Sequence, residues 1–331
     1  MHESTLNKTQ EENGGSVKRV LVPVYSQSGQ LSEITRRIIE PLQDDPMVSV
    51  HVEMLRPVTP YPFPWPFFRF LDAFPESAHM VPPPLQPLSL TGEEEFDLII
   101  LPYQVWYLAP SLPITAFLKD PVVMRLIAGK PVVTVIACRN MWLMAHEKLK
   151  KLLAACSARL MDNVVFVDKS PTMVTLITTP FWMWTGKRQL IKAFPPAGVD
   201  ESAIMGARRF GLALRDALSN DAEKGTAPML TGLAAVDSNP QLLFSEKAAT
   251  RSFFVWGKLL RAVGGPGQLR RYPVLGLYIL FLLLLVFTVV PLSLIVQALL
   301  RPLMRKRFAL LKQQFDEPSG SGRERMNLYD G

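Results

Sequence analysis

The chain has 331 residues, 48% hydrophobic and 20% charged, with a formal net charge of +7. That charge is uneven: residues 244–331 hold 13 basic and 5 acidic side chains, and the remainder hold 23 and 24. The basic excess lies beside an apolar run, where cations meet anionic lipid head groups, so the charge is read as membrane-directed and nucleic-acid binding is excluded.

Cys138 and Cys156 have no CxxC spacing, which excludes a disulfide framework and suits a reducing compartment. Residues 1–18 lack an apolar core of signal-peptide length and read as a disordered leader, leaving the main domain on the cytoplasmic side of the inner membrane. Residues 20–25 (VLVPVY) form a short apolar run ending in a polar turn, the pattern of a buried parallel strand, although Pro23 is awkward there. Residues 32–42 space Ile34, Ile38 and Leu42 for a helix, with Ser32 and Glu33 placed to cap it. Residues 48–54 alternate apolar and polar as a second strand.

The stretch 57–90 departs from a minimal α/β unit. From Pro57 to Pro87 it carries ten prolines, interleaved with Tyr61, Phe63, Trp65, Phe67, Phe68, Phe70 and Phe74. Neither a helix nor a central strand is expected from it. Its aromatic rings must pack on something: the domain surface, the partner in a homodimer, or an apolar substrate beneath a lid.

Residues 97–101 and 131–137 are further buried strands, 145–160 a helix carrying His146 on its surface, 163–167 a fifth strand and 200–218 a closing helix. The aromatic patch 173–185 is too short to cross a bilayer and reads as a strand extension, a substrate wall or a membrane-facing surface. Strands alternating with helices over 19–220 give an α/β class with a doubly wound parallel five-stranded sheet. A linker at 221–243 precedes a basic amphipathic juxtamembrane helix at 244–267, with Phe253, Trp256, Leu260 and Val263 on one stripe and glycines at its end.

Residues 274–300 are 27 in a row without a formal charge, more than the roughly 20 that cross a bilayer as a helix. A transmembrane helix is expected over 273–300, with Pro291 placed to kink it, and a basic, mostly disordered tail over 301–331. Arg270 and Arg271 flank one end, and Arg301, Arg305, Lys306 and Arg307 the other, so the positive-inside rule has no asymmetry to read. A simple span puts the tail outside; a re-entrant or surface-lying helix keeps both ends in the cytosol. The domain is expected to fold without residues 244–331.

The segment that carries chemistry is Tyr25-Ser26-Gln27-Ser28-Gly29-Gln30-Leu31-Ser32, between the first strand and first helix. Hydroxyls two apart followed by glycine give donors around a concave turn, and the helix start adds unpaired amides and positive partial charge. The GKS/T signature of a Walker loop is absent. The four histidines do not cluster, and GxSxG, GxGxxG and metal-ligand spacings are missing from the sequence. No catalytic acid or base is assigned.

The loop YSQSGQLSEI resembles the FMN phosphate loop of flavodoxins and flavodoxin-like quinone reductases. Taken with DAFPES, YQVWYLAPSLPITAFLK, CRNMW and WTGK, the chain from about Arg19 to Leu218 resembles the dialkylresorcinol condensing enzyme group. That resemblance implies FMN as cofactor. It places Ser26, Gln27, Ser28, Gly29, Gln30 and Leu31 around its phosphate, and Pro102, Tyr103, Gln104, Val105 and Trp106 along one edge or face of the isoalloxazine. Cys138, Arg139 and Asn140 fall near the pyrimidine side, where a donor stabilises the anionic reduced flavin. NAD(P)H, if it is the reductant, docks over the exposed flavin face. The implied function is an oxidoreductase or aromatase-type step on an alkyl-chain cyclic dione or resorcinol lipid, alongside a ketosynthase. Two other readings stand: a non-catalytic membrane-tethered partner of a ketosynthase, and a simple flavodoxin-like electron carrier.

Overall fold

The structure, a computed structural model, describes residues 16–289 and 304–329. Most of the expected leader, and residues 290–300 of the expected membrane helix, lie outside the described residues. Strand β1 (Lys18–Val24), helix α1 (Gln30–Gln43) and strand β2 (Val48–Met54) open the fold. Two short helices, α2 (Phe67–Asp72) and α3 (Phe74–Ala78), precede strand β3 (Leu98–Trp106). A two-residue strand β4 (Ala109–Pro110), helix α4 (Leu112–Lys119) and helix α5 (Pro121–Leu126) lead to β5 (Pro131–Cys138). Helix α6 (Leu143–Ala155), strand β6 (Arg159–Val167), and helices α7 (Thr172–Thr185), α8 (Glu201–Met205) and α9 (Arg208–Ser219) follow. Helices α10 (Leu243–Val263), α11 (Tyr272–Leu284) and α12 (Arg305–Asp316) come last.

The five long strands are parallel in the order β2-β1-β3-β5-β6, and β4 pairs antiparallel with the end of β3. Setting β4 aside, this is the 2-1-3-4-5 order of the flavodoxin-like doubly wound sheet. The order in which successive strands are added reverses between β1 and β3, so right-handed crossovers lay helices on both faces. That explains the unbroken apolar strands: Val20, Leu21 and Val22, then Ile99, Ile100 and Leu101, are closed to solvent on both sides. Helix α1 turns Ile34, Ile38 and Leu42 onto the sheet and packs against α9, which turns Phe210, Leu214 and Leu218 inward. Pro23 is tolerated because β1 pairs with β3 only at Val20 and Leu21, so that ladder has ended before the proline.

Several expectations are corrected. Helix α1 is capped by Gly29 and not by Ser32. The proline-rich insert does hold helices, because residues 67–74 are free of proline and Pro75 falls in the first turn of α3, where a missing N–H costs nothing. His146 is 2% exposed; the spacing 146, 149, 153 puts it on the buried stripe of α6 with Leu149 and Leu153. The stripe Phe253, Trp256 and Leu260 of α10 packs on protein, against Phe74, Tyr278 and Phe281. Among the described residues no helix is long and apolar enough to cross a membrane; α11 is followed by a π-helical turn, Leu285–Val289, at the edge of the described chain.

The largest correction concerns the expected linker and tail. Leu230, Leu233 and Val236 belong to the main core, joined by Phe315 of α12. Strand β6 is the last of the sheet, and its Val165 N–H donates to Ala235 O (2.9 Å). Ala234 and Val236 in turn donate to Gly322 O and Gly320 O, at 2.6 and 3.1 Å. A bare strand edge leaves backbone groups unpaired, and here residues 232–236 and 320–322 cover it. The buried Asp162 carboxylate fixes both layers, accepting from Met229 N–H (2.8 Å), Leu230 N–H (3.1 Å) and Ser319 Oγ (2.7 Å). The tail is thus an ordered clamp on the domain. A chain cut near Asn239 would lack this clamp and the packing of Phe315.

A second tie runs through Glu246 of α10, wholly buried, whose carboxylate accepts from Leu143 N–H (3.3 Å) and Met144 N–H (2.7 Å) at the start of α6. The carboxylate satisfies amides that the first helical turn leaves unpaired. Burial nonetheless raises its pKa from 4.5 to about 7.

Two outcomes are expected. Phe315→Ala should lower the stability of the full chain in detergent by about 3 kcal/mol or more, as buried Phe truncations do, read from the denaturant midpoint. Because the folded-state pKa of Glu246 lies above the unfolded value, the folded chain holds more protons between 4.5 and about 7. Its contribution to stability therefore falls as pH rises through that window. Glu246→Gln should flatten that slope; an unchanged slope would show that Glu246 does not titrate there.

Candidate functional site

Open α/β sheets bind ligands beyond the carboxyl ends of the strands at the point where strand order reverses. Here the ends of β1, β3, β5 and β6 converge on a cavity of about 410 Å³, within the usual range for small-molecule sites. The β1–α1 loop forms one wall through Gln27, Ser28, Gln30 and Leu31. Gly29 has φ +88°, and a Cβ built there meets nothing within 4 Å, so the loop is open on that side. Ser26 Oγ accepts from Gly29 N–H (3.1 Å) and closes the turn. No side chain caps α1, so the amides of its first turn keep their donors for an incoming acceptor. Glu33, the acidic residue of that turn, is drawn to Arg36 (2.6 Å) and Arg37 (3.1 Å). Anion binding at this helix start therefore meets an already paired carboxylate.

The loop is braced from both sides. Gln27 N–H donates to Gln104 Oε1 (3.2 Å), and Gln27 Nε2 to Pro62 O (2.7 Å). Gln30 exchanges two hydrogen bonds with Val199, both 3.1 Å. The 197–199 segment is fixed further by Asp168 Oδ2, which accepts from Gly198 N–H (2.9 Å), and by Arg188, which donates to Ala197 O and Val199 O. Gly198 has φ +96°, and a Cβ there would stand 2.2 Å from Gln30 Oε1 and 2.9 Å from the Trp182 ring. Only glycine allows this close approach.

The other walls are mostly apolar and aromatic. Val105 and Trp106 come from β3, Cys138 from β5 with Arg139 just beyond it, Thr175 and Trp182 from α7, and Trp65 and Phe70 from the insert. Trp106 makes edge contacts with Tyr25, Tyr61 and Trp65, with ring centres 4.9–5.9 Å apart. Trp65 N–H also donates to Met183 O (2.7 Å), joining the insert to α7. The insert is therefore a roof over the cavity as well as a packed surface. A second cavity, about 620 Å³, lies on the far side of Trp65 and Ala73, against Arg69, Arg271 and the 264–267 turn.

Of the residues expected from the sequence, Gln27, Ser28, Gln30, Leu31, Gln104, Val105, Trp106, Cys138 and Arg139 line the cavity. Ser26 and Gly29 shape its loop. Pro102 and Tyr103 do not reach it: both are buried within β3, and Tyr103 OH lies 3.2 Å from His146 Nδ1. Asn140 turns to Thr172 Oγ1 (3.2 Å), leaving its own Oδ1 without a partner. Burial pushes the Cys138 thiol well up, which keeps it protonated, and pulls His146 down to about 3. Arg139 is lowered chiefly by burial, and its one side-chain bond among the described residues is to Met141 Sδ (3.6 Å). A half-buried guanidinium with a thioether partner keeps donors for a ligand.

Sequence reasoning missed Asp168 and Val199 as parts of this site, and it left Trp65 and Phe70 open between a packed surface, a dimer contact and a lid. Asp168 follows directly on β6, so its place at the carboxyl end of a strand was the available signal. The others are brought in by contacts distant in sequence.

No protein-family model matches the chain, and no curated protein matches it. Among solved structures, the chain is similar to a flavoprotein in complex with FMN from Lactobacillus acidophilus NCFM. That pair shows 15% identity and a TM-score of 0.37, over 45% of this chain and 93% of the other. It is also similar to a flavodoxin from the domain Archaea, at 11% identity and TM-score 0.33 over 61% and 99%. A flavodoxin, WrbA-like protein from Agrobacterium tumefaciens matches at 11% identity and TM-score 0.34 over 61% and 98%.

Gly198→Ala tests the bracing. Placing an L residue at this φ costs roughly 1–2 kcal/mol before any clash is counted. The variant should fold with a lowered melting temperature and a shifted Trp emission maximum. An unchanged spectrum and melting temperature would show that the loop tolerates the methyl.

Proposed function

We propose that the cavity binds FMN and that the protein is a flavin-dependent oxidoreductase working at a membrane surface. The observation that carries this reading is the uncapped start of α1, turned by Gly29 and flanked by Ser28, at the mouth of an apolar cavity beyond the strand ends. Such a turn suits a phosphate monoester, and the aromatic walls suit a flat ring system. Ser26, Gln27, Ser28, Gly29, Gln30 and Leu31 would hold the phosphate, Leu31 through its N–H alone. Gln104, Val105 and Trp106 would border the ring, with Arg139 as the donor nearest it.

When bound, FMN supplies reversible two-electron acceptance. Around it the chain's own residues exclude water: Trp65, Phe70 and Trp106 close the roof, and Cys138 stays a neutral thiol. Both Asp168 oxygens are engaged, by Ser170 N–H and Gly198 N–H, so this carboxylate positions the 197–199 segment. The apolar cavity supports a hydrophobic ring substrate. The resemblance to dialkylresorcinol condensing enzymes narrows it to an alkyl-chain cyclohexanedione, which loses two hydrogens overall to become the resorcinol, with a ketosynthase as the partner that supplies the ring. Leu277, Leu280, Leu284 and Phe287 are exposed apolar side chains that support membrane residence, with the domain on the cytoplasmic side.

The test is FMN titration of the detergent-purified full chain, followed by flavin fluorescence and the visible spectrum. Wild type should bind below tens of micromolar. Gly29→Asp should abolish binding while the far-UV circular dichroism is kept, because a carboxylate in open space faces the phosphate. Ser28→Ala should weaken binding by about 10- to 150-fold, in line with the loss of about 1.5–3 kcal/mol for a hydrogen bond to a charged acceptor. Trp65→Ser should impair turnover of long-chain substrates more than FMN affinity. Wild type that binds no FMN, or a folded Gly29→Asp that binds as tightly, would remove the reading.

A further inference from the structure

We infer that the uncharged run enters and leaves the bilayer on the same side, so that the chain is held in one leaflet and does not cross the membrane. The inference rests on the membrane residence proposed above and goes beyond it to topology. At the start of the run, Arg271 is 2% exposed and donates to Asp72 (3.1 Å), Glu76 (2.7 Å) and Gly264 O (2.6 Å). Leu275 and Tyr278 of α11 are buried against the domain, Tyr278 with its ring centre 4.3 Å from that of Phe74. At the far end, α12 buries Phe315 in the main core, and Asp316 accepts from Ser238 N–H (2.8 Å). Ser319 then bridges Asp162 and Asn163 N–H, at 2.7 and 2.8 Å.

Both ends are therefore fastened to one folded domain, which allows only an even number of crossings. A helical crossing takes roughly 20 residues, and two take roughly 40. The 29 uncharged residues between Arg271 and Arg301 are too few for two. One crossing has the wrong parity and two have too little chain. What remains is an entry into the near leaflet.

The surface around the run matches a lipid partner. Along α11, Leu277, Leu280, Leu283 and Leu284 face outward while Leu275 and Tyr278 face the protein. The exposed Phe67, Phe68 and Trp184 continue this apolar face: Phe68 lies 5.3 Å from Tyr272 and Phe67 4.9 Å from Trp184. Arg305, Lys306 and Arg307 stand exposed where the chain re-emerges. This is the arrangement of a monotopic anchor, with apolar side chains in the acyl boundary and cations at the anionic head groups.

The experiment uses the full chain in membrane vesicles of defined orientation. Single cysteines are introduced at exposed positions before and after the run, Lys247→Cys and Arg323→Cys, with the parent chain as background for the native thiols. A membrane-impermeant maleimide should label both in inside-out vesicles, and both signals should be lost in right-side-out vesicles. The chain should also stay with the membrane after alkaline carbonate extraction. Labelling of the two cysteines from opposite sides would overturn the inference while leaving membrane residence intact. Release of the chain by carbonate or by a high-salt wash would instead overturn the membrane reading itself, and this inference with it.

Discussion

Strand β1 is paired on both sides, with β2 over its whole length and with β3 at Val20 and Leu21. From that position the chain must leave the sheet at the carboxyl end of a central strand, between two crossovers running in opposite directions. The crevice this creates cannot be filled by either crossover helix. The β1–α1 loop, the extended end of β3 and the last residues of β5 and β6 all border it. Gln27 and Gln104 meet across it because β1 and β3 are neighbours, although 77 residues separate them. The apolar roof is a consequence of the same gap, since the long β2-to-β3 connection has to pass over it.

The parts of this arrangement legible in the sequence are those set by short-range rules. Runs such as VLVPV and PVVTVIA mark buried strands by local composition, and YSQSG marks a turn whose donors are adjacent in the chain. The β2 limits and the order of alternating elements followed from the same rules. What could not be read depends on partners far away. His146 sits on a helix that is polar on its other face, and only the stripe of Leu149 and Leu153 puts it inside. The stripe Phe253, Trp256 and Leu260 has the same chemistry whether it meets acyl chains or Phe74 and Tyr278, so periodicity cannot separate a membrane face from a protein face. The Asp162–Ser319 bond spans 157 residues, and a basic, glycine-containing tail gives no local sign of it.

The two regions that sequence composition sets apart, the proline-rich insert and the C-terminal segments, are joined to each other more than to the sheet's centre. Phe74 and Tyr107 contact Phe253, and Asp72 and Glu76 hold Arg271. Buried ion pairs of this kind are poor sources of net stability, but removing one partner leaves an uncompensated charge and is strongly unfavourable. The insert, α10 and α11 thus share one satellite core. It reaches the cavity wall through Phe70, whose ring meets that of Trp65.

The covering of the β6 edge has a consequence in time. Residues 320–322 are synthesised after the uncharged run, so every nascent chain presents that run while the 232–236 segment on β6 still lacks its outer layer. Domains tend to fold from the amino terminus as they emerge, and this one stops one layer short. Closure waits until α12 and Ser319 leave the ribosome and find Asp162. The outer edge of the 232–236 segment and the apolar run are thus bare together during synthesis, and capture of the run by a bilayer at that stage would hold that edge close to the segments that complete it.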